Sequence, residues 1–363
     1  MDLAGLRAQF PVMEDLAYLN AGSVGPMPRA AAEAVGAELR RALDGGRGGK
    51  AYFEHALGLA DRLRTRVAGV MGCDPWEVAL TGATTDGVNA VLAGLDLRAG
   101  DEIVTTDEEH PGLLAPLGLA RSKRGVEIRV VPFEEVAGAV GPRTRLVACS
   151  HVSWTTGRVL DTAALAACDA PVLLDGAQGI GAVPVDVRAI GCDYYAASGQ
   201  KWLCGPIGSG YLYVREELID GLSPAWPGYG SLSDTLRALD LPLVAGAARF
   251  DGGFPPGERS AWSLAALDVL ESAGLEAVQE RAVESAHRLA ETLTDRGATV
   301  ADRGRSTLVS WESADPQAES LRLLDAGFLV RDLPGTPYVR ASVGGWTSDE
   351  ELERLVEAVT SRS

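Results

Sequence analysis

Two charged residues near the middle of the chain have the types and setting that an aldehyde cofactor requires. Asp175 ends the apolar run in VLLDGAQG, and Lys201 follows a second apolar run in YYAASGQKWLCGP. A lysine amine forms a Schiff base with an aldehyde, and an aspartate that faces a pyridine nitrogen keeps this nitrogen protonated, which makes the ring an electron sink. The pair therefore indicates a site for pyridoxal 5'-phosphate (PLP).

Three other segments carry polar groups that suit a phosphorylated pyridine. Thr84 and Thr85 in TGATTDGVN open a helix after a strand, where backbone N–H groups bind phosphate, although an ordinary capped turn explains the pattern equally well. His110 in TTDEEHPGLL would stack on the ring and shuttle a proton, although a single histidine is more often structural. Trp154 in ACSHVSWTTG either lines a substrate pocket or packs against the core.

The elements that must position these residues alternate between β-rich and helical runs from about Ala79 to Val214. This alternation predicts βαβ units and a mostly parallel sheet. The predicted strands are EVALTG, DEIVTT, VEIRVVPF, TRLVACSHV, APVLLDG, CDYYAAS and GSGYLYV. Since ligands bind at the carboxyl ends of the strands in an open α/β sheet, the candidate residues stand where a site is expected.

The pattern changes downstream of this region. Irregular loops rich in glycine and proline are predicted at SPAWPGYGSLSDT and at FDGGFPPGERSAW. A long helical stretch, two strands at STLVSW and PYVRASVG, and a capped amphipathic helix at SDEELERLVEAV come next. These elements predict a smaller α+β domain.

Composition and charge argue against several classes of protein. The 363 residues, 46% of them hydrophobic, suffice for one large domain and a smaller companion. A net charge of -17 without a basic run argues against nucleic acid and anionic membranes as partners. We see no secretory signal and no transmembrane run. The five cysteines lack paired spacing and the four histidines suggest no metal cluster, so a cytoplasmic protein with reduced thiols is expected.

The chain resembles the class V aminotransferase family of fold type I PLP-dependent enzymes, particularly the branch of cysteine desulfurases, selenocysteine lyases, C–S lyases and isopenicillin N epimerase-like proteins. The resemblance extends from YLNAGSVGPMP to YVRASVG, and its most specific segment extends from DGAQ to SGQKWLCGPIGSGYLYV. It implies an α/β fold with a mostly parallel seven-stranded sheet flanked by helices. It also implies a large PLP-binding domain over 17–250, a small α+β domain built from 1–16 and 251–363, and a homodimer.

The same resemblance implies a role for each candidate residue at the cofactor. Lys201 would form the Schiff base, Asp175 would pair with the pyridine nitrogen, and Gln178 would donate to the phenolic oxygen. His110 would stack on the ring. The residues implied in binding the phosphate are Thr84, Thr85, Ser198 and Gln200. Gln200 stands where many relatives have histidine, and a glutamine donates a hydrogen bond but carries no charge.

The resemblance also implies a substrate site in the smaller domain. Arg340 in YVRASVG would bind the carboxylate of an amino-acid substrate, for which a guanidinium fork is suited. Arg331 and Trp154 are further candidates for contact with the substrate. Phe254 stands where relatives commonly have threonine, so this loop lacks the hydroxyl that in relatives reaches the phosphate of a partner subunit.

One departure from the desulfurase pattern bears on the reaction. Desulfurases that pass on sulfur as a persulfide need a cysteine in the loop before the carboxylate-binding arginine, and FLVRDLPGTPYVRAS has none. This favours a C–S lyase that acts by β-elimination on cysteine, cystine or a related thio amino acid. An aminotransferase or an amino-acid epimerase stays open as an alternative, and a non-catalytic metabolite-binding protein is a remote one.

Overall fold

The computed structural model of the protein describes residues 1–361. The strands in chain order are β1 (Ala17–Tyr18), β2 (Val78–Thr81), β3 (Glu102–Thr106), β4 (Glu127–Val131), β5 (Thr144–Ser150), β6 (Val172–Asp175), β7 (Tyr194–Ser198), β8 (Gly210–Val214), β9 (Leu308–Glu312), β10 (Phe328–Leu329), β11 (Arg331–Asp332) and β12 (Tyr338–Ser342). The helices are α1 (Leu3–Ala8), α2 (Arg29–Gly45), α3 (Lys50–Met71), α4 (Thr84–Gly94), α5 (Pro111–Arg124), α6 (Thr162–Ala166), α7 (Val187–Ile190), α8 (Glu216–Ile219), α9 (Gly257–Ser272), α10 (Leu275–Asp295), α11 (Pro316–Asp325) and α12 (Asp349–Thr360).

The seven predicted strands of the central region form one sheet in the spatial order β2-β8-β7-β6-β5-β3-β4. β8 runs antiparallel to both of its neighbours, and the remaining neighbouring strands run parallel. This confirms the predicted mostly parallel seven-stranded sheet. The parallel strands consequently bring their carboxyl ends, and the residues that follow them, to one edge.

Both faces of this sheet are covered, which explains why several of its central strands are apolar along most of their length. In β5, Val147 and Cys149 pack into one hydrophobic layer, and Leu146 and Ala148 pack into the other. The first layer includes apolar side chains of α3 and α9, and the second includes those of α4 and α5. Because the sheet is closely packed on both faces, it holds the loops at its carboxyl edge in fixed positions.

The C-terminal part contains a second, antiparallel sheet in the order β11-β12-β9. A third hydrophobic core lies between this sheet and helices α10 and α12, with Trp311 fully buried in it. The N-terminal strand β1 pairs in parallel with β10 of this part. The division of domains at residues 16/17 and 250/251 stays a prediction. Within residues 1–361, no helix combines the length and the apolar character needed to span a membrane.

The closing helix confirms a prediction from the local sequence, and one loop contradicts another. α12 begins with the predicted capping box, in which the Ser348 hydroxyl accepts a hydrogen bond from the Glu351 N–H and the Glu351 carboxylate accepts one from the Ser348 N–H. The irregular stretch predicted for 250–262 is wrong in its second half, because α9 begins at Gly257. Pro256 stands at the N-cap of α9, so the proline there marks the start of a helix and not a continuing loop.

The N-terminus of α4 is held in place by a glycine of the neighbouring strand. A Cβ atom on Gly210 would lie 2.5 Å from the backbone carbon of Ala83, the N-cap residue of α4. We predict that Gly210→Ala destabilises the protein by about 1–3 kcal/mol, because backbone atoms must move to make room for the methyl group. Urea unfolding monitored by circular dichroism measures the change.

Gly118→Ala in α5 is the matched control, since a Cβ atom there has no neighbour within 4 Å. This substitution is expected to be neutral or to stabilise the protein by up to about 1 kcal/mol, because alanine favours a helix over glycine. Equal stabilities of the two variants would contradict the packing described for Gly210.

Candidate active site

The candidate residues assemble at the carboxyl edge of the central sheet. Asp175 ends β6 and Ser198 ends β7, directly ahead of the loop that carries Lys201. His110 follows β3 and caps α5, and Thr84 begins α4 after β2. The adjacent strands β2, β8, β7, β6, β5 and β3 thus place residues from distant parts of the chain around one space. This is the position in which open α/β sheets bind ligands.

Burial shifts the protonation of the central pair toward neutral forms. Burial raises the pKa of Asp175, an effect that the Ala177 N–H and the charge of Lys201 oppose. Burial lowers the pKa of Lys201 to about 8; Asp175 opposes this shift, and Arg340 and Arg331 add to it. A sizeable fraction of the Lys201 amine is therefore unprotonated in mildly alkaline solution, which suits a nucleophile or a base.

The loop that carries Lys201 is fixed from two sides. The Trp202 ring N–H donates to the Gln178 side-chain oxygen (3.0 Å), and the Gly25 N–H donates to the Gln200 carbonyl (2.8 Å). A Cβ atom on Gly25 would lie 2.0 Å from the Lys201 carbonyl oxygen, so only glycine permits this approach of the N-terminal segment. The lysine backbone is consequently held before any ligand arrives.

Three buried polar atoms around this loop lack a partner within residues 1–361, namely Thr84 Oγ1, Ser198 Oγ and Gln200 Oε1. The first backbone N–H groups of α4 lie beside Thr84, and the first turn of a helix leaves such donors free. Because buried polar groups are nearly always hydrogen-bonded, the arrangement indicates a polar ligand. Hydroxyl donors at a helix N-terminus fit the phosphate of PLP.

The side chains of Thr85 and Gln178 are placed less simply. Thr85 lies in the first turn of α4, and its hydroxyl faces Gly112 at the start of α5. The Gln178 side chain donates to the Gly22 carbonyl (2.8 Å) and accepts from Trp202. One N–H of the Gln178 amide is left to reach a cofactor oxygen, so its predicted role as a donor stays a prediction that the geometry permits.

His110 is a neutral ring with a defined tautomer. Its Nδ1 accepts a hydrogen bond from the Gly112 N–H (2.9 Å), which assigns the proton to Nε2. Burial and the positive charges of Lys201, Arg331 and Arg340 lower the pKa of His110 to about 4. The ring packs edge to face on Trp154, with 5.0 Å between the ring centroids. His110 is therefore a hydrogen-bond donor through Nε2 at neutral pH.

Two arginines of the smaller sheet face the same space. Arg340 and Arg331 are directly opposite each other in the pairing of β11 with β12. Arg340 is 1% exposed and donates to the Trp154 carbonyl (2.5 Å), while its Nε and its second terminal nitrogen have no partner among the described residues. Arg331 donates to the Ser23 hydroxyl (2.9 Å). Burial, with Arg331, lowers the pKa of Arg340 to about 9.

A buried guanidinium with free donors is a strong indication of an anion site, because an unpaired buried charge is costly. Within residues 1–361, neither Arg340 nor Arg331 forms a salt bridge with a carboxylate. The structure thus brings together all of the residues proposed for the site. Their roles toward cofactor and substrate stay predictions.

Sequence reasoning missed two residues of the site. Ser23 holds Arg331 although the two lie 308 positions apart in the chain. Glu109 is 5% exposed, and hydrogen bonds tie it to Thr106 and Ser150. The motif DEEHPG looks like a solvated acidic turn, but Glu109 lies three residues after the end of the buried strand β3 and directly precedes His110. That position was the available signal.

Comparisons with known proteins show which family the chain resembles. The family model described as "Aminotransferase class-V" matches residues 17–327. A probable cysteine desulfurase of Methanothermobacter thermautotrophicus is 30% identical over 308 residues, which are 80% of this chain and 75% of the relative. A cysteine desulfurase of Klebsiella pneumoniae is 34% identical over 277 residues, 69% of this chain and 67% of the relative.

Solved structures resemble the whole chain. A variant of C-DES with glycine covalently linked to its PLP cofactor has a TM-score of 0.93 and 29% identity, covering 98% of this chain and 99% of that one. The complex of the cystine C–S lyase C-DES with its reaction product cysteine persulfide has a TM-score of 0.91 and 28% identity, covering 97% and 99%.

The unpaired guanidinium makes a prediction about stability. Arg340→Met removes a buried charge without a carboxylate partner and keeps apolar bulk, so the ligand-free variant should be more stable by about 1–3 kcal/mol. Thermal and urea unfolding of the ligand-free proteins measure this change.

Arg303→Met is the matched control. The Arg303 guanidinium is partly buried, but its donors reach the Leu308 carbonyl (2.8 Å) and the Ser306 carbonyl. Losing these bonds should destabilise the protein by about 1 kcal/mol or more. A destabilised Arg340→Met protein would contradict the view that Arg340 awaits an anionic ligand.

Proposed function

Because the chain belongs to the class-V aminotransferase family, we propose that it is a PLP-dependent C–S lyase that cleaves cystine or a related thio amino acid by β-elimination. The observation that carries this proposal is the pair of arginines without carboxylate partners beside Lys201. One arginine suffices for the α-carboxylate of an amino acid. Two arginines on one face suit a substrate with a carboxylate at each end, as in cystine.

The residues proposed to hold PLP follow from the unsatisfied groups at the sheet edge. Thr84, Thr85, Ser198, Gln200 and the first N–H groups of α4 would bind its phosphate. Asp175 would pair with the pyridine nitrogen, Gln178 would reach the phenolic oxygen, and His110 would stack on the ring. Lys201 would hold the aldehyde carbon. Bound PLP would supply an electron sink for the negative charge left at the substrate α-carbon.

Lys201 and Arg340 would have different roles toward the substrate. A guanidinium fork binds a carboxylate through two parallel hydrogen bonds, and the free Nε and terminal nitrogen of Arg340 present such a fork. This contact fixes the orientation of the α-carbon. The Lys201 amine, which is partly neutral at mildly alkaline pH, would then take the α-proton.

Trp154 and His110 would complete the wall of the substrate space. The Trp154 ring packs on His110, and the Trp154 carbonyl holds Arg340. Because these rings would exclude water, the charged contacts of the substrate would be stronger. The Nε2–H of His110 would stand ready as a donor to the reacting groups.

Release of sulfur without a cysteine relay is supported by the state of the thiols. Cys149, Cys192 and Cys204 are buried, and Cys73 and Cys168 are partly buried. Burial raises the pKa of all five thiols. Because the thiolate is the nucleophile, none of these side chains is poised to accept sulfur.

The proposed reaction balances with water alone. The bond from the β-carbon to sulfur breaks, and the sulfur leaves with its electron pair as the persulfide of the second cysteine. The carbon fragment takes up water and yields pyruvate and ammonia. Cystine and water thus give cysteine persulfide, pyruvate and ammonia, with no oxidant or keto acid required.

We also propose that the protein is a homodimer. The segment 224–245 exposes a series of large apolar side chains, namely Trp226, Tyr229, Leu236, Leu239 and Leu241. Leu236 is 96% exposed, which is an unfavourable setting for a leucine in water. Phe254 is also exposed and packs edge to face on Phe53. A second copy of the chain would cover these residues.

One prediction from this proposal concerns the product and the carboxylate at the far end of cystine. We expect pyruvate and persulfide from cystine without a keto acid, and Arg331→Gln should raise KM for cystine roughly 10- to 100-fold because a hydrogen bond to a charged group is lost. For the mixed disulfide of cysteine with methanethiol, which has one carboxylate, Arg331→Gln should change KM little. Arg340→Gln should impair both substrates.

Other outcomes discriminate among the alternatives. Turnover only with a keto acid would show an aminotransferase, and alanine with sulfide from cysteine would show a desulfurase. Racemised substrate without pyruvate would show an epimerase, and PLP binding without any turnover would show a binding protein. Equal effects of Arg331→Gln on both disulfides would contradict the role given to Arg331.

Another prediction concerns assembly into a homodimer. Light scattering after size exclusion should give about twice the chain mass of 38.0 kDa. The variant Leu236→Glu with Leu239→Glu should shift the protein toward the monomer, because charges would be buried in the interface. Leu321→Glu, on the exposed side of α11, is the control and should leave the mass unchanged. A monomeric wild-type protein at micromolar concentration would exclude the dimer.

A further inference from the structure

A buried carboxyl group beside Asp175 has no part in the reaction proposed above. Glu109 is 5% exposed and lies between the end of β3 and His110. Its Oε1 accepts from the Thr106 hydroxyl (2.5 Å) and the Ser150 N–H (3.0 Å), and its Oε2 accepts from the Ser150 hydroxyl (2.5 Å). Three donors thus hold both oxygens in one orientation, which is an arrangement that suits an ionised carboxylate.

Ser150 connects this carboxyl group to the cofactor side of the site. It ends β5 and lies directly opposite Asp175 of β6 in the strand pairing. The ionisable group that acts on Glu109 is Asp175 from β6, and Glu109 in turn raises the pKa of the Cys149 thiol from β5. Burial and the charge of Asp175 raise the pKa of Glu109 to about 7, although the three hydrogen-bond donors oppose this shift. Glu109 therefore changes charge in the neutral range.

We propose that Glu109 is a positioning residue that acts through Asp175, so that its negative charge favours the proton shared by Asp175 and the pyridine nitrogen of the cofactor. The inference rests on the proposed function, since it assumes PLP over Asp175. A second carboxylate behind Asp175 disfavours a state in which Asp175 alone is ionised and the pyridine is neutral. Ionised Glu109 would thereby help to retain the proton of this pair, on which the electron sink depends.

Protonation of Glu109 removes this effect. As the pH falls through about 7, Glu109 gains a proton and its negative charge is lost. Glu109→Gln keeps the size of the side chain and resembles this neutral form at every pH. Glu109 contacts no substrate, so the substitution should act on kcat and leave KM nearly unchanged.

The experiment compares pH titrations of the absorbance of bound PLP. In Glu109→Gln, the spectral midpoint should fall by about half a unit to one unit, because loss of a nearby negative charge weakens proton binding at the cofactor. Asp107→Asn is the matched control, since it removes an exposed carboxylate from the same loop and should leave the midpoint unchanged. An unchanged midpoint in PLP-loaded Glu109→Gln overturns the proposal.

A second variant keeps the test valid if Glu109→Gln does not fold. Ser150→Ala retains the charge of Glu109 and the backbone N–H bond but removes the hydroxyl donor to Oε2. Losing a donor to the ionised form raises the pKa of Glu109 further, so the acidic limb of kcat for cystine should move to higher pH. An acidic limb that does not move in Ser150→Ala overturns the proposal.

Unfolding of the PLP-free protein gives a readout that needs neither cofactor nor turnover. A carboxyl group with a raised pKa in the folded state holds more protons than in the unfolded chain between about pH 4.5 and 7. It therefore lowers the folding stability as the pH rises through this window. Relative to wild type, Glu109→Gln should lose part of this decline, and an identical decline in both proteins overturns the assigned titration.

The two proposals fail separately. A wild-type protein that binds PLP but yields no pyruvate from cystine contradicts the lyase proposal alone, because the spectral titration requires no turnover. A wild-type protein that does not bind PLP contradicts both. A shifted midpoint together with normal pyruvate formation supports both.

Discussion

An excess of positive charge at the edge of the central sheet governs the rest of this structure. Lys201, Arg331 and Arg340 face one space beside Asp175; the two arginines add to the lowering of the Lys201 pKa by burial, and Arg331 adds to that of Arg340. In the function proposed above, anionic ligands would compensate this cost. A phosphate and one or two carboxylates would neutralise it, and the same contacts would place a substrate for reaction.

Two parts of the fold share the task of holding these charges. The large sheet positions Asp175 and Lys201 at strand ends, and the small sheet supplies both arginines on β11 and β12. The loop 153–158 links them, since the Trp154 carbonyl accepts from Arg340 and the Thr155 carbonyl accepts from Ser310 of β9 (2.5 Å). A substrate that binds the arginines would thereby be coupled to the wall formed by Trp154 and His110.

The sequence allowed the central sheet, the closing helix and the Asp175–Lys201 pair to be predicted, because each depends on a local pattern of apolar, capping or charged residues. Resemblance to a family was needed for Arg340, whose distance along the chain hides its position. The contact between Ser23 and Arg331 and the two hydrogen bonds of the Gln178 side chain depend on tertiary packing, which no local pattern encodes. Glu109 was missed for a related reason, since only the folded structure shows that this one carboxylate of the acidic turn is buried, while Asp107 stays exposed.

The covalent attachment of PLP tests the central claim most directly. The purified protein would be incubated with PLP, reduced with borohydride to fix the Schiff base, digested and examined by mass spectrometry. The account predicts the added mass on the peptide that contains Lys201, and no labelled peptide in Lys201→Ala. A label on another lysine of the wild-type protein, or no label at all, would contradict it.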